Sequence, residues 1–137
     1  VIKEVKLLYP FEKLLTVPGI GNILGMTIML ESGDMNRFQE VSNYSSYCRC
    51  VSSKKVSNGK KKGENNKKNG NKYLAWAYVE AANFMRRFCP QARSWHQRKV
   101  SKTNQIVATK ALSNKIARAC YFIIKDQTDF DPEMLFE

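Results

Sequence analysis

One hydroxyl sits among many cations. Between Lys54 and Lys72 the chain reads KKVSNGKKKGENNKKNGNK, with eight lysines, one acid (Glu64) and one serine, Ser57. This stretch carries +7 of the chain's net +11. Crowded like charges with almost no apolar residue between them cannot form a core, and they repel one another until a polyanion neutralises them. The stretch is a solvated linker, a strip of phosphate contacts, or a strip that presents Ser57 to a phosphate. A serine hydroxyl is a weak nucleophile unless something takes its proton. His96 is the single histidine and stands far off in the sequence, so no local Ser/His/Asp arrangement serves a hydrolase. Phosphoryl transfer depends instead on positioning and on cations that stabilise charge on the phosphate oxygens. Lys54, Lys55, Lys60, Lys61 and Lys62 surround Ser57 in a way that suits it. Without further information the simpler reading of Ser57 is a small polar loop residue.

The same strip continues through Lys67, Lys68, Asn71 and Lys72, and Gly59 lets its backbone track a strand. Contacts from these lysines would give salt-dependent, sequence-independent affinity. A second basic group comprises Arg86, Arg87, Arg93, Arg98 and Lys99, with Trp95 among them. It is a phosphate-contacting face or a solvated helix end. Trp76 reads as core rather than as a platform for bases.

Thr16-Val17-Pro18-Gly19-Ile20-Gly21 is a turn between two helices. Gly19 and Gly21 would let backbone approach a phosphate, and the next helix would offer its free N–H groups to the anion. An ordinary helical hairpin explains the glycines equally well. Cys48 and Cys50 do not have the usual spacing of a zinc pair, and a site would need distant Cys89 or His96. The four cysteines read as reduced thiols of a cytoplasmic protein, and no metal ligands are assigned.

Apolar periodicity supplies the elements that must position these groups. A first helix is expected over about 2–15, broken or kinked at Pro10. A second is expected over 22–32, with Asn22 as N-cap and Gly33 after its end. Asp34 or Asn36 caps a short helix running through Phe38, Val41 and Tyr44. From Ser45 to Asn71 the periodicity vanishes and a long irregular loop is expected. Leu74, Tyr78, Ala81, Met85 and Phe88 then form one face of a helix over about 73–89, which Pro90 ends. Residues 92–100 read as a short helix or turn. Ala108, Leu112, Ile116, Ala119 and Ile123 form the stripe of a long helix over about 103–125. The acidic tail reads as a final turn or docking segment. No strand is evident, so the class is all-α.

A chain of 137 residues is one domain or one domain with a tail, and at 43 % hydrophobic it can bury a real core. A pI near 9.6 directs attention to nucleic acid or an anionic membrane. No apolar run approaches the roughly 18 residues of a spanning helix, and the basic run lacks the amphipathic helix of membrane-surface binders. No signal peptide is visible, and the initial Val1 reads as the start of a fragment.

Three stretches, LLTVPGIGNILGMTIMLESGDMNRF, YSSYCRC and VSNGKKKGENNKKNGNKYLAWAYVEAANF, together resemble the C-terminal domain of Piv/MooV-type insertion-sequence transposases. That group includes the bridge-RNA-guided recombinases. The resemblance spans roughly Leu14 to Lys125. It implies a helix-hairpin-helix element over about 5–33 and a basic loop over about 45–72. It implies that Ser57 is a nucleophile that forms a covalent phosphoserine with DNA. It also implies a RuvC-like domain, absent from these 137 residues, whose four acids hold magnesium; no cofactor is expected in this chain. The implied partners are DNA, a structured guide RNA and further copies of the full-length protein, in the bacterial cytoplasm. This sequence departs from the common pattern at Cys48-Arg49-Cys50-Val51, at the inserted Asn58, and at Ala75, where many members have arginine. The rival reading is a helix-hairpin-helix module that coats nucleic acid without chemistry.

Overall fold

A computed structural model describes residues 10–50, 56–57, 60–61 and 70–136. The first helix is seen over 10–14 (α1), and its expected earlier part lies outside the described residues. There follow α2 (Asn22–Ser32), a 3-10 turn (Met35–Arg37), α3 (Val41–Tyr47), α4 (Lys72–Phe88), α5 (Pro90–Lys102), α6 (Gln105–Asp126) and α7 (Pro132–Phe136). The all-α class is what the periodicities require. One detail differs: Val56–Ser57 (β1) and Lys60–Lys61 (β2) pair antiparallel, with Ser57 opposite Lys60.

Helix α6 is the spine, and α3, α4 and α5 pack against it while α2 packs on α4. Most of the expected stripe is buried: Leu74, Tyr78, Ala81 and Met85 of α4, joined by Ala77, share one cluster with Leu112 and Ile116 of α6, joined by Ala117 and Cys120. Each fully buried aliphatic side chain there contributes about 1.5–3 kcal/mol. Most of the polar groups in and around the cluster are paired, as burial demands, although Ser45 Oγ has no hydrogen-bond partner. The Tyr44 hydroxyl bridges Ser32 Oγ (2.8 Å) and Tyr78 Oη (2.6 Å), joining α2, α3 and α4. Tyr121 Oη of α6 donates to the Phe38 carbonyl at 2.7 Å.

Several boundaries move. Gly21, not Asn22, is the N-cap of α2, and no side chain caps that end. Asp34 does cap, but only the 3-10 turn, by accepting from Asn36 N. The helix expected through Phe38 is interrupted there, because Phe38 and Glu40 have extended backbone before α3 begins. Phe88 is 66 % exposed. Helix α4 ends there, and the buried place beyond Met85 goes to Cys89. Trp76 is 50 % exposed rather than core, on the α4 face opposite the buried stripe. Pro90 ends α4 and also opens α5 as its first residue, where its missing N–H costs nothing. Phe136 of α7 is buried against Trp95, so the tail does dock.

Candidate nucleic-acid interface

The basic insert leaves and re-enters the fold at one point. Helix α3 ends in a Schellman motif: Cys50 N donates to Ser45 O (3.1 Å) and Arg49 N to Ser46 O (3.0 Å). Arg49 occupies the left-handed position of that motif, at φ 58°. On the return side, Asn71 N donates to Tyr47 O at 2.7 Å. Gly70 lies so close that a Cβ on it would stand 2.8 Å from Tyr47 O, and its φ is 120°. Both ends of the insert are therefore fastened to Tyr47 and its neighbours.

Asn71 is the centre of this root. Its Oδ1 caps α4 by accepting from Tyr73 N (2.9 Å) and Leu74 N (3.0 Å). Its Nδ2 donates to Glu31 Oε2 (2.8 Å) and Tyr47 Oη (3.3 Å). The amide of Asn71, and next Arg37, hold the Tyr47 phenol below the usual tyrosine value. The Arg37 guanidinium lies over the rings of Phe38 and Tyr47 at 4.6 and 4.7 Å. It also donates twice to Ser32 O, closing the C-terminus of α2. Residues far apart in sequence (Arg37, Tyr47, Gly70 and Asn71) thus form one bracket. Asn71, expected to touch nucleic acid, has its side chain engaged in holding this bracket.

The other expected contacts fall in three groups. Lys54, Lys55, Gly59, Lys62, Lys67 and Lys68 lie outside the described residues. Ser57, Lys60 and Lys61 are described as the backbone ladder alone, and Lys72 is exposed at the start of α4. Arg86 and Arg87 are at the opposite end of α4, about 20 Å away at 1.5 Å per residue. There they line a groove of about 680 Å³ with Glu80, Asn83, Phe84, Arg93 and Gln97. Arg93 is engaged, donating to the carbonyls of Arg86 and Arg87.

Gly19 belongs to this second end. A Cβ on it would be 2.7 Å from Met85 N and 2.9 Å from Ala81 O. Its φ is 96°, so glycine is required for the turn and for its close approach to α4. Gly21 has open space around it. His96 is buried nearby and bonded to Thr109 Oγ1 at 3.1 Å. Burial, and then Arg86, push its imidazole below the usual value.

All four cysteines are buried and free. Burial raises the Cys50 thiol to about 11 and the Cys120 thiol to about 12, so neither is a thiolate nucleophile. Among the described residues no group of three or more His, Cys, Asp or Glu side chains could hold a metal ion. No described helix is long and apolar enough to cross a membrane.

Residues 11–97, well over half the chain, match the transposase IS116/IS110/IS902 family. The chain belongs to this transposase family. A probable family 20 transposase of Pseudomonas aeruginosa is 27 % identical over 125 residues. That alignment covers 88 % of this chain but 37 % of the relative, so the chain spans little more than a third of that protein's length. The matched segment contains the root, the insert and both ends of α4. The root residues Arg37, Tyr47 and Arg49 are not among the predicted contacts. For Arg37 and Tyr47 the available signal was the set Arg37-Phe38, Ser46-Tyr47 and Gly70-Asn71 taken together; Arg49 carried none.

Proposed function

We propose that this domain recombines DNA as part of a Piv/MooV-type transposase and supplies Ser57 as its nucleophile. The observation that carries the reading is the root. The insert leaves α3 through a Schellman motif closed on Ser45 and Ser46 and returns to a hydrogen bond on Tyr47 O, and the Ser57 backbone lies in a paired strand opposite Lys60. A freely solvated linker requires neither feature.

In the proposed step Ser57 Oγ forms a bond to a DNA phosphorus. The bond from that phosphorus to one sugar oxygen breaks, and the serine proton is passed on so that the leaving oxygen ends protonated. Lys55, Lys60, Lys61 and Lys62 stabilise charge on the phosphate oxygens. The covalent phosphoserine conserves the bond energy for rejoining to another strand. Magnesium would be held by the acids of a RuvC-like domain, and a structured guide RNA and further copies of the protein would complete the assembly. The isolated domain then binds nucleic acid without cleaving it.

Ser57→Ala in the full-length protein tests the reading. Recombination should vanish while DNA binding survives, and unchanged recombination removes Ser57 from the mechanism. The rival, a helix-hairpin-helix module that grips phosphate through its glycines, is disfavoured at Gly19, whose free face is spent on α4.

A further inference from the structure

A cleft of about 450 Å³ opens between α4 and α6 beside the root of the insert. Arg49 lines it together with Ala75 and Val79 of α4 and Ile106 and Lys110 of α6. Arg49 is unusual in two independent respects. It takes the left-handed position of the Schellman motif, where glycine is the common residue, at φ 58°. Its Nε is buried and makes no hydrogen bond. A buried guanidinium nitrogen without an acceptor is unfavourable until something supplies one. Backbone outliers of this kind concentrate at ligand-holding sites.

The rest of the cleft defines what that something is. Among the described residues that line it none is acidic, so Arg49 and Lys110 have no carboxylate to pair with there. Facing them is apolar surface left open to solvent: Ile106 is 81 % exposed and Val79 38 %. Cations beside exposed apolar walls fit a ligand with an anionic end and a flat or apolar body. The volume lies within the range of small-ligand sites. The chain leaves the helical core for the lysine-rich insert just after Arg49 and Cys50, which both line the cleft.

We propose that the cleft takes one nucleotide unit of a bound strand, with its phosphate on Arg49 and Lys110 and its base or sugar against Val79 and Ile106. The proposal rests on the reading that this domain binds nucleic acid, and it does not require Ser57 to be a nucleophile.

The test uses the 137-residue chain, 5′-phosphorylated dithymidylate at low salt, and backbone amide shifts. The expected shifts centre on Ala75, Val79, Ile106 and Lys110. Arg49→Gly should weaken binding about tenfold or more, the loss of a charge-assisted contact. The same variant should melt at a higher temperature, since glycine adopts the left-handed conformation without strain. Weaker binding by a better-folded protein is a result that a purely structural arginine would not give. Unchanged affinity in Arg49→Gly, or shifts confined to other regions, overturns the cleft. If the wild type then still binds a 20-nucleotide strand, the reading of the insert stands. Inorganic phosphate that matches the dinucleotide in affinity overturns the nucleotide assignment. Failure of the wild type to bind either strand overturns both proposals.

Discussion

The two ends of α4 hold their neighbours by different means. At its N-terminus the root of the insert is a polar bracket: Asn71, Tyr47, Glu31 and Arg37 satisfy one another and close three helix termini. At its C-terminus the turn through Gly19 is set by contact distance, with backbone against backbone and no room for a methyl group. Hydrogen-bonded brackets fix direction, and close packing fixes separation. The end that must aim an insert has the first, and the end that must only stay closed has the second. Arginines occur at both. Arg37 at the root is engaged, whereas Arg87 at the far end is exposed.

Breaking the packed end should cost most. Gly19→Ala forces a Cβ into Met85 N at positive φ, and a loss of about 3 kcal/mol in urea denaturation is expected. A loss under about 0.5 kcal/mol would mean that the turn is not braced on α4. Asn71→Ala removes the α4 cap and should cost about 1–2 kcal/mol by the same measurement. Asn71→Asp keeps the acceptor, loses the donor and adds a negative charge beside Glu31. It should fall no better than the alanine variant if the bracket matters as much as the cap.

Arg86→Ala with Arg87→Ala should change stability by less than about 0.5 kcal/mol, since neither guanidinium closes a helix end. If that groove meets phosphate, the slope of log affinity for single-stranded DNA against log salt should shrink by about 1 to 2. An unchanged slope confines binding to the insert end. The smallest effect is in pH. The folded His96 is held below the usual value of about 6.5, so the unfolded chain binds its proton more readily. Stability is then complete above that value and declines as pH falls through it. His96→Gln should abolish the decline, and Arg86→Ala should move it to lower stability loss by relieving the imidazole of a neighbouring cation. Arg49→Gly should leave it in place, which separates the two ends of α4 once more.

The helices were legible because their stripes are regular: Leu74, Tyr78, Ala81 and Met85 are buried as spaced. Periodicity failed where a side chain sits at the last turn, as with Phe88, because spacing says which face and not where the helix stops. At Trp76 the spacing was right, since it lies off the buried stripe, and the expectation of core failed because α4 has large aromatics on both faces and composition does not rank them. The root was the least legible feature. Asn71 looked like one polar residue among many in a basic strip, yet it is the cap that ends the strip. Its partners, Glu31 and Tyr47, lie 40 and 24 residues away, and no local pattern reports contacts of that range. The strained arginine was hidden by the same limit, since only the fold reveals that residue 49 needs positive φ.

The fastening of the insert at Tyr47 has a consequence for how this chain can vary. A loop whose ends are already held together adds little conformational cost when it grows, about 0.6 kcal/mol for each doubling of length. The segment between Cys50 and Gly70 therefore behaves as a cassette on a fixed socket. Residues can be gained, lost or exchanged within it while the helices keep their packing, and new chain termini opened there would leave the two halves of the domain joined through α3, α4 and α6.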